Sequence, residues 1–214
     1  MPSADHIPSF NHLRTFVADK AAGRKTHVAA DRQQVEAPSD GRVFAHYYEK
    51  LITALLLHIS RGSRGSTLDD AVHAAVPAKQ PSYNQAVHGL KKILAAHPAR
   101  DGIRRQRSTV VRDADGYELV SIRTHVELRL ADGSHLITYL HFSPGALVKA
   151  EMSIMETAVA LAARQANPSA TPAIALVREG KLAIIDVTDA LSPDRIAFLR
   201  AASAAYRAEW DVAA

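Results

Sequence analysis

The chain has 214 residues, with 26 Lys and Arg against 22 Asp and Glu, a formal net charge of +4, 11 His and no Cys. Its 47% hydrophobic content supplies a core and excludes full disorder, while the lack of Cys excludes a disulfide framework, a Cys-ligated zinc centre and a thiol nucleophile. The longest purely apolar run, Ala158 to Ala163, is far short of the roughly 20 residues a membrane span needs, and the first residues lack a basic stretch followed by an apolar one, so a soluble, cytoplasmic chain without a secretory signal is expected.

Residues 1–40 are charge-neutral, show no sustained period and carry Pro2, Pro8, Gly23 and Pro38. They read as a flexible arm with one short amphipathic turn at Phe10, Leu13, Phe16 and Val17. Residues 41–100 read as a basic helical region. Phe44, Tyr48, Leu51, Ile52, Leu55 and Ile59 recur at helical spacing, which predicts a helix from Val43 to Arg61, capped by Asp40. A Gly/Ser loop with Arg61 and Arg64 follows. Thr67 then caps a second helix, Leu68 to Val76, that Pro77 stops. A third helix runs from Tyr83 to His97, with Ser82 and Gln85 in the spacing of a capping box.

Beyond residue 100 the period changes to two. Arg107–Arg112, Tyr117–Leu130 and His135–Phe142 read as three strands joined by two Ala-Asp-Gly turns, Ala114 to Gly116 and Ala131 to Gly133. Because a one-residue slip moves every side chain to the other face, the second turn can be typed from sequence. A three-residue loop with Gly133 left-handed puts Leu130 opposite Ser134. That register sorts Ile122, Val126, Leu128, Leu136, Leu140 and Phe142 onto one face. Arg123, His125, Glu127, Arg129, His135, Tyr139 and His141 fall on the other, polar face. Ser143-Pro144 is the expected start of a helix ending near Ala166, with Leu147, Ile154 and Leu161 on one stripe. Ala173–Arg178 and Lys181–Thr188 are strands, and Ser192-Pro193 opens a last helix lined by Ile196, Leu199, Tyr206 and Trp210. The fold class is therefore α+β: N-terminal helices followed by a βββαββα domain with a five-stranded antiparallel sheet over residues 101–214.

Charge is distributed unevenly. It is zero over residues 1–40, +8 over 41–112 and −4 over 113–214. The basic middle is the candidate for an anionic partner. Three helices followed by a hairpin is also the order of a winged helix-turn-helix. On that reading Asn84, Gln85, His88, Lys91 and Lys92 of the third helix, with Arg61, Arg64, Arg104, Arg105 and Arg107, are the candidate nucleic-acid contacts. His125, Glu127, Tyr139 and His141 are the one grouping that resembles an acid/base or metal site. Its spacing matches no ligand signature, and neither a nucleophile elbow nor a phosphate loop is present, so no catalytic residue, cofactor or metal is expected.

From Tyr83 onward, the order of helix, three strands, helix, two strands and helix resembles type III secretion chaperones and the related sensory-transduction-regulator-like domains. The likeness rests on the meander, the helix ending at Asn167, the hairpin from Ala173 to Asp186 and the closing helix from Ser192 to Trp210. It implies a non-enzymatic, chaperone-like or adaptor homodimer that binds a protein segment, with Leu147, Ile154 and Leu161 of the central helix as the expected self-association and partner-binding residues. A DNA-binding regulator acting through residues 41–112 is the alternative.

Overall fold

The computed structural model describes residues 6–36 and 47–213. Its elements are α1 (Phe10–Ala18), α2 (Ala21–Glu36), α3 (Glu49–Ser60), α4 (Thr67–His73), α5 (Gln80–Ala96), β1 (Ala99–Arg104), β2 (Thr109–Arg112), β3 (Glu118–Ile122), β4 (Val126–Leu130), β5 (His135–His141), α6 (Lys149–Ala166), β6 (Thr171–Leu176), β7 (Lys181–Ile184), α7 (Val187–Ala190) and α8 (Pro193–Val212). The fold is α+β, with helices leading into a mostly antiparallel sheet. The main sheet runs β1-β4-β5-β6-β7. Only β5 and β6 pair in parallel, and α6 is the crossover between them. No helix among the described residues is long and apolar enough to cross a membrane.

Both faces of the sheet are covered. Leu128, Leu136, Leu140 and Phe142 pack with α3, α4 and α5 on one side. Tyr139, Ile174 and Leu176 pack with α1, α6, α8 and the β2–β3 hairpin on the other. The face expected to be polar is internal at the end of β5, where Tyr139 and His141 are 6% and 5% exposed, while Arg129 at the other end stays exposed. The register of the second turn matches the expectation. Leu130 N–H donates to Ser134 O at 2.9 Å, Leu128 sits opposite Leu136, and Gly133 has φ +92°.

Several expectations differ from the structure. Tyr117–Leu130 is not one strand. Buried and less buried residues alternate from Val120 to Leu130, yet the chain leaves the ladder at Arg123–His125, so β3 pairs with β2 in a separate hairpin while β4 joins the main sheet. The sheet gains β1 instead, which has no alternating pattern of its own and is held by its register with β4. Ser143-Pro144 does not start α6. Gly145 takes φ +99°, the chain loops to Val148, and Glu151 accepts the Val148 N–H at 2.9 Å. Ser82 does not cap α5, which begins at Gln80; its hydroxyl bonds elsewhere. Asp40 and residues 43–46 of the expected first helix lie outside the described residues.

The expected flexible arm contains two packed helices. Phe10, Leu13, Phe16 and Val28 are buried in the α6/α8 core. Ser9 caps α1 by accepting His12 N–H at 3.3 Å. Asp31, 8% exposed, accepts the Tyr206 hydroxyl at 3.0 Å and lies 3.3 Å from His27 Nε2. Burial, followed by the Asp31 charge, pushes the Tyr206 hydroxyl pKa up. Asp31→Ala would leave that hydroxyl buried and unpartnered, a cost of about 1–3 kcal/mol. Urea unfolding should show this loss in the main transition; an unchanged midpoint would mean that α1 and α2 are not part of the cooperative unit.

Candidate functional site

Where β4 stops, β5 continues. Ladder pairing ends at Val126 opposite Thr138, so Tyr139, Leu140 and His141 run on beyond the last residue of β4. The Leu140 N–H is instead taken by a side chain: His125 Nδ1 accepts it at 3.0 Å, while His125 N–H donates to Thr138 O at 3.0 Å. A backbone N–H can only donate, so Nδ1 carries no proton and the ring's one N–H is on Nε2. Burial, and then the charges of Arg123 and Arg104, push the His125 pKa down to about 3. The residue is a fixed, neutral donor.

The gap left by β4 opens a cleft of about 740 Å³, within the usual size of a small-ligand site. It lies at the C-terminal ends of the parallel pair β5 and β6, where His141 is level with Leu176. Tyr139, Leu140, His141 and Phe142 form its floor, Tyr47, Tyr48 and Glu49 come from the start of α3, and Arg123, His125 and Arg178 complete the wall. The Tyr48 and Phe142 rings stack 4.0 Å apart. A smaller hollow of about 480 Å³ continues past His141 and Arg178, beneath the 143–146 loop.

Arg178 sits in the one-turn 3-10 segment Val177–Glu179, which Gly180 closes with φ +67°. Its Nε donates to Phe142 O at 2.6 Å and its Nη2 to Ser82 Oγ at 2.7 Å and Tyr48 Oη at 3.2 Å; Nη1 reaches Gln85 Oε1. All four acceptors are neutral, and among the described residues no carboxylate pairs with this guanidinium. Glu49 is shared: Arg123 donates to it at 2.7 Å and Arg104 pairs with its other oxygen. Beside them, burial pushes the Tyr139 hydroxyl up to about 12, and it donates to Asn11 Oδ1 at 3.0 Å. Burial, followed by Arg14, pushes His141 down to about 4, and its Nε2 has no hydrogen-bond partner among the described residues.

The expected histidine grouping is thus three-quarters assembled. His125, Tyr139 and His141 share the cleft, with the His125 and Tyr139 rings 4.8 Å apart. Glu127 is turned away from it, to His135 at 2.7 Å and Arg105 at 3.3 Å. Among the described residues no three His, Asp or Glu side chains are grouped to hold a metal ion.

The central-helix residues lie elsewhere. Ile154 and Leu161, expected to face a second copy, are 0% and 1% exposed in the chain's own core, and Leu147 is half-buried against it. The nucleic-acid candidates are divided. Arg61, Arg64, Asn84, His88, Lys92 and Arg107 are exposed. Lys91 is exposed too but engages Asp69 at 2.7 Å, and Gln85 engages Arg178. Arg104 and Arg105 are committed to Glu49 and Glu127. The basic excess at the sheet entry is thereby partly neutralised within the fold.

Arg178, Tyr48, Ser82, Glu49 and Arg123 were not legible as a site, because the contacts joining them span 34 to 130 residues of sequence. The only local trace is Ser82 and Gln85, whose capping-box spacing places both on the α5 turn facing Arg178. The chain matches no family model, no curated protein and no solved structure.

Proposed function

We propose that the chain is a cytoplasmic, non-enzymatic binding protein of the chaperone or adaptor kind, and that its partner docks in the cleft at the end of β5. The observation that carries this reading is Arg178: a guanidinium in the wall of the cleft, fixed by four neutral acceptors and, among the described residues, without a carboxylate partner. Such a group is pre-oriented and keeps its charge for a partner. Acid/base work favours a group that titrates near the working pH. His125, His141 and Tyr139 are instead moved away from neutrality, to about 3, 4 and 12. These walls donate and stack; they do not exchange protons at pH 7.

Photocrosslinking tests the reading. Ser143 is exposed and borders both the cleft and the smaller hollow. A benzoylphenylalanine at Ser143 should yield a discrete crosslinked species in cells, lost in Arg178→Gln and absent when the same probe replaces the exposed Lys25. Equal crosslinking from both positions, or crosslinking indifferent to Arg178→Gln, would remove the cleft as the docking site.

A further inference from the structure

We infer that the group entering the cleft is an aromatic carboxylate, either a free acid or the C-terminal residue of a polypeptide; this rests on the cleft being the binding site. The charge balance is the first argument. Arg123 and Arg178 line the cleft and Arg104 adjoins it through Glu49, the one carboxylate in the lining, which pairs with Arg123 and Arg104. The other nearby carboxylates have cations of their own: Glu151 pairs with Arg14, and Glu179 with Lys181 at 3.2 Å. Two positive charges are therefore left over among these described groups, in a space where burial strengthens their pull on an anion.

Donor geometry is the second. Arg178 has five N–H groups and spends four on its anchors. Arg123 has one bond to Glu49, and His125 offers Nε2–H because Nδ1 is occupied by Leu140. His141 adds a side chain that is 5% exposed and has an unpartnered ring nitrogen. The two guanidinium groups and the His125 ring are donors for an acceptor-only group, and a planar carboxylate suits guanidinium. The walls are the third argument. Phe10, Tyr47, Tyr48, Tyr139 and Phe142 give the cleft flat aromatic sides, which favour a ring over a bare inorganic ion. A volume of about 740 Å³ takes a two-ring acid, or a terminal Phe with one or two residues before it.

Titration calorimetry on the full chain at neutral pH tests this with 2-naphthoate, its uncharged isostere 2-naphthamide, and inorganic phosphate. The expected result is one saturable site for naphthoate, at least about tenfold weaker binding of the amide, since a charge-assisted hydrogen bond is lost, and no displacement of naphthoate by phosphate. Arg178→Gln should weaken naphthoate by a similar factor and Arg178→Lys should recover part of it. The acid-against-amide comparison needs no variant, so it stands even if Arg178→Gln misfolds. Acetyl-Gly-Gly-Phe binding more tightly than naphthoate, and losing that binding on amidation, identifies a chain end; the reverse order identifies a free acid. Equal affinity for naphthoate and naphthamide would overturn the carboxylate, and displacement by phosphate would overturn the ring. If neither naphthoate nor acetyl-Gly-Gly-Phe binds while the Arg178-dependent crosslink from Ser143 persists, the ligand class is wrong and the docking site stands. If both are missing, both readings fall.

Discussion

Gly89→Ala should destabilise the protein by several kcal/mol, although the substitution lies in the middle of a helix, where alanine is ordinarily the better residue by about 1 kcal/mol. Gly89 is buried on the face of α5 that meets the turn after β6. A Cβ there would run into the carbonyl oxygen of Val177 and come within 2.8 Å of its carbon and 3.3 Å of Gly180 N. These are backbone atoms, held by the 3-10 turn, so no side-chain rotation relieves the overlap. Overpacking of a tight interface costs about 1–3 kcal/mol and more where backbone must shift, which outweighs the gain in propensity. The same turn carries Arg178, whose anchors Gln85 and Ser82 are one and two turns earlier on α5. Pushing the turn off the helix therefore pulls the guanidinium away from its acceptors. Urea unfolding should show the lower midpoint, and calorimetry a parallel loss of naphthoate binding. A variant as stable as the parent would show that α5 and the turn are not in the close contact described. The control is Gly23→Ala on α2, where a Cβ meets nothing within 4 Å; it should be neutral or mildly stabilising.

Legibility in the sequence tracks how local the cause is. The Asp132-Gly133 turn could be typed because a positive φ and a face-sorting register are both set within a dozen residues, and the observed pairing of Leu128 with Leu136 follows from them. The last helix could be started at Pro193 because Ser-Pro is a local device; the identical pair at Ser143-Pro144 failed because Gly145 diverts the chain before a helix forms. The break at Arg123–His125 is marked locally only by three successive polar residues, Arg123, Thr124 and His125. Thr124 and Val126 are buried while His125 is partly so, and strict alternation persists across a point where the strand changes sheets. The candidate site was half-visible for the same reason. Period two put His125, Tyr139 and His141 on one face, and they do meet. What they meet against, Arg178 and the Tyr48–Ser82 pair, is supplied by tertiary contact alone.

Acid should destabilise this fold earlier than carboxylate protonation does. His125 and His141 have folded pKa values of about 3 and about 4, against an ordinary value near 6.5. The unfolded chain therefore takes up protons below pH 6.5 that the folded chain refuses until pH 3–4. Their contribution is fully present above pH 6.5 and is lost as the pH falls from there toward 4. Each pH unit in that window costs about 1.4 kcal/mol per histidine, so the pair removes about 5 kcal/mol by pH 4.5, comparable with the whole stability of an ordinary domain. His6, His12 and His58, also lowered chiefly by burial, act in the same direction. The two cleft histidines are separable by substitution. His141 has an unpartnered Nε2, so His141→Leu should cost little at pH 7.5 and flatten the slope between pH 6.5 and 5. His125 holds the Leu140 N–H, so His125→Leu should flatten the slope as well but start about 1–3 kcal/mol lower at pH 7.5, because a backbone donor is left without its acceptor, and the deficit should shrink as the pH falls. Urea midpoints measured at half-unit steps from pH 7.5 to 4.5 decide the matter. A midpoint that stays level down to pH 5 would mean that these rings are solvated, and that the cleft they line is wetter and less able to discriminate charge than its geometry implies.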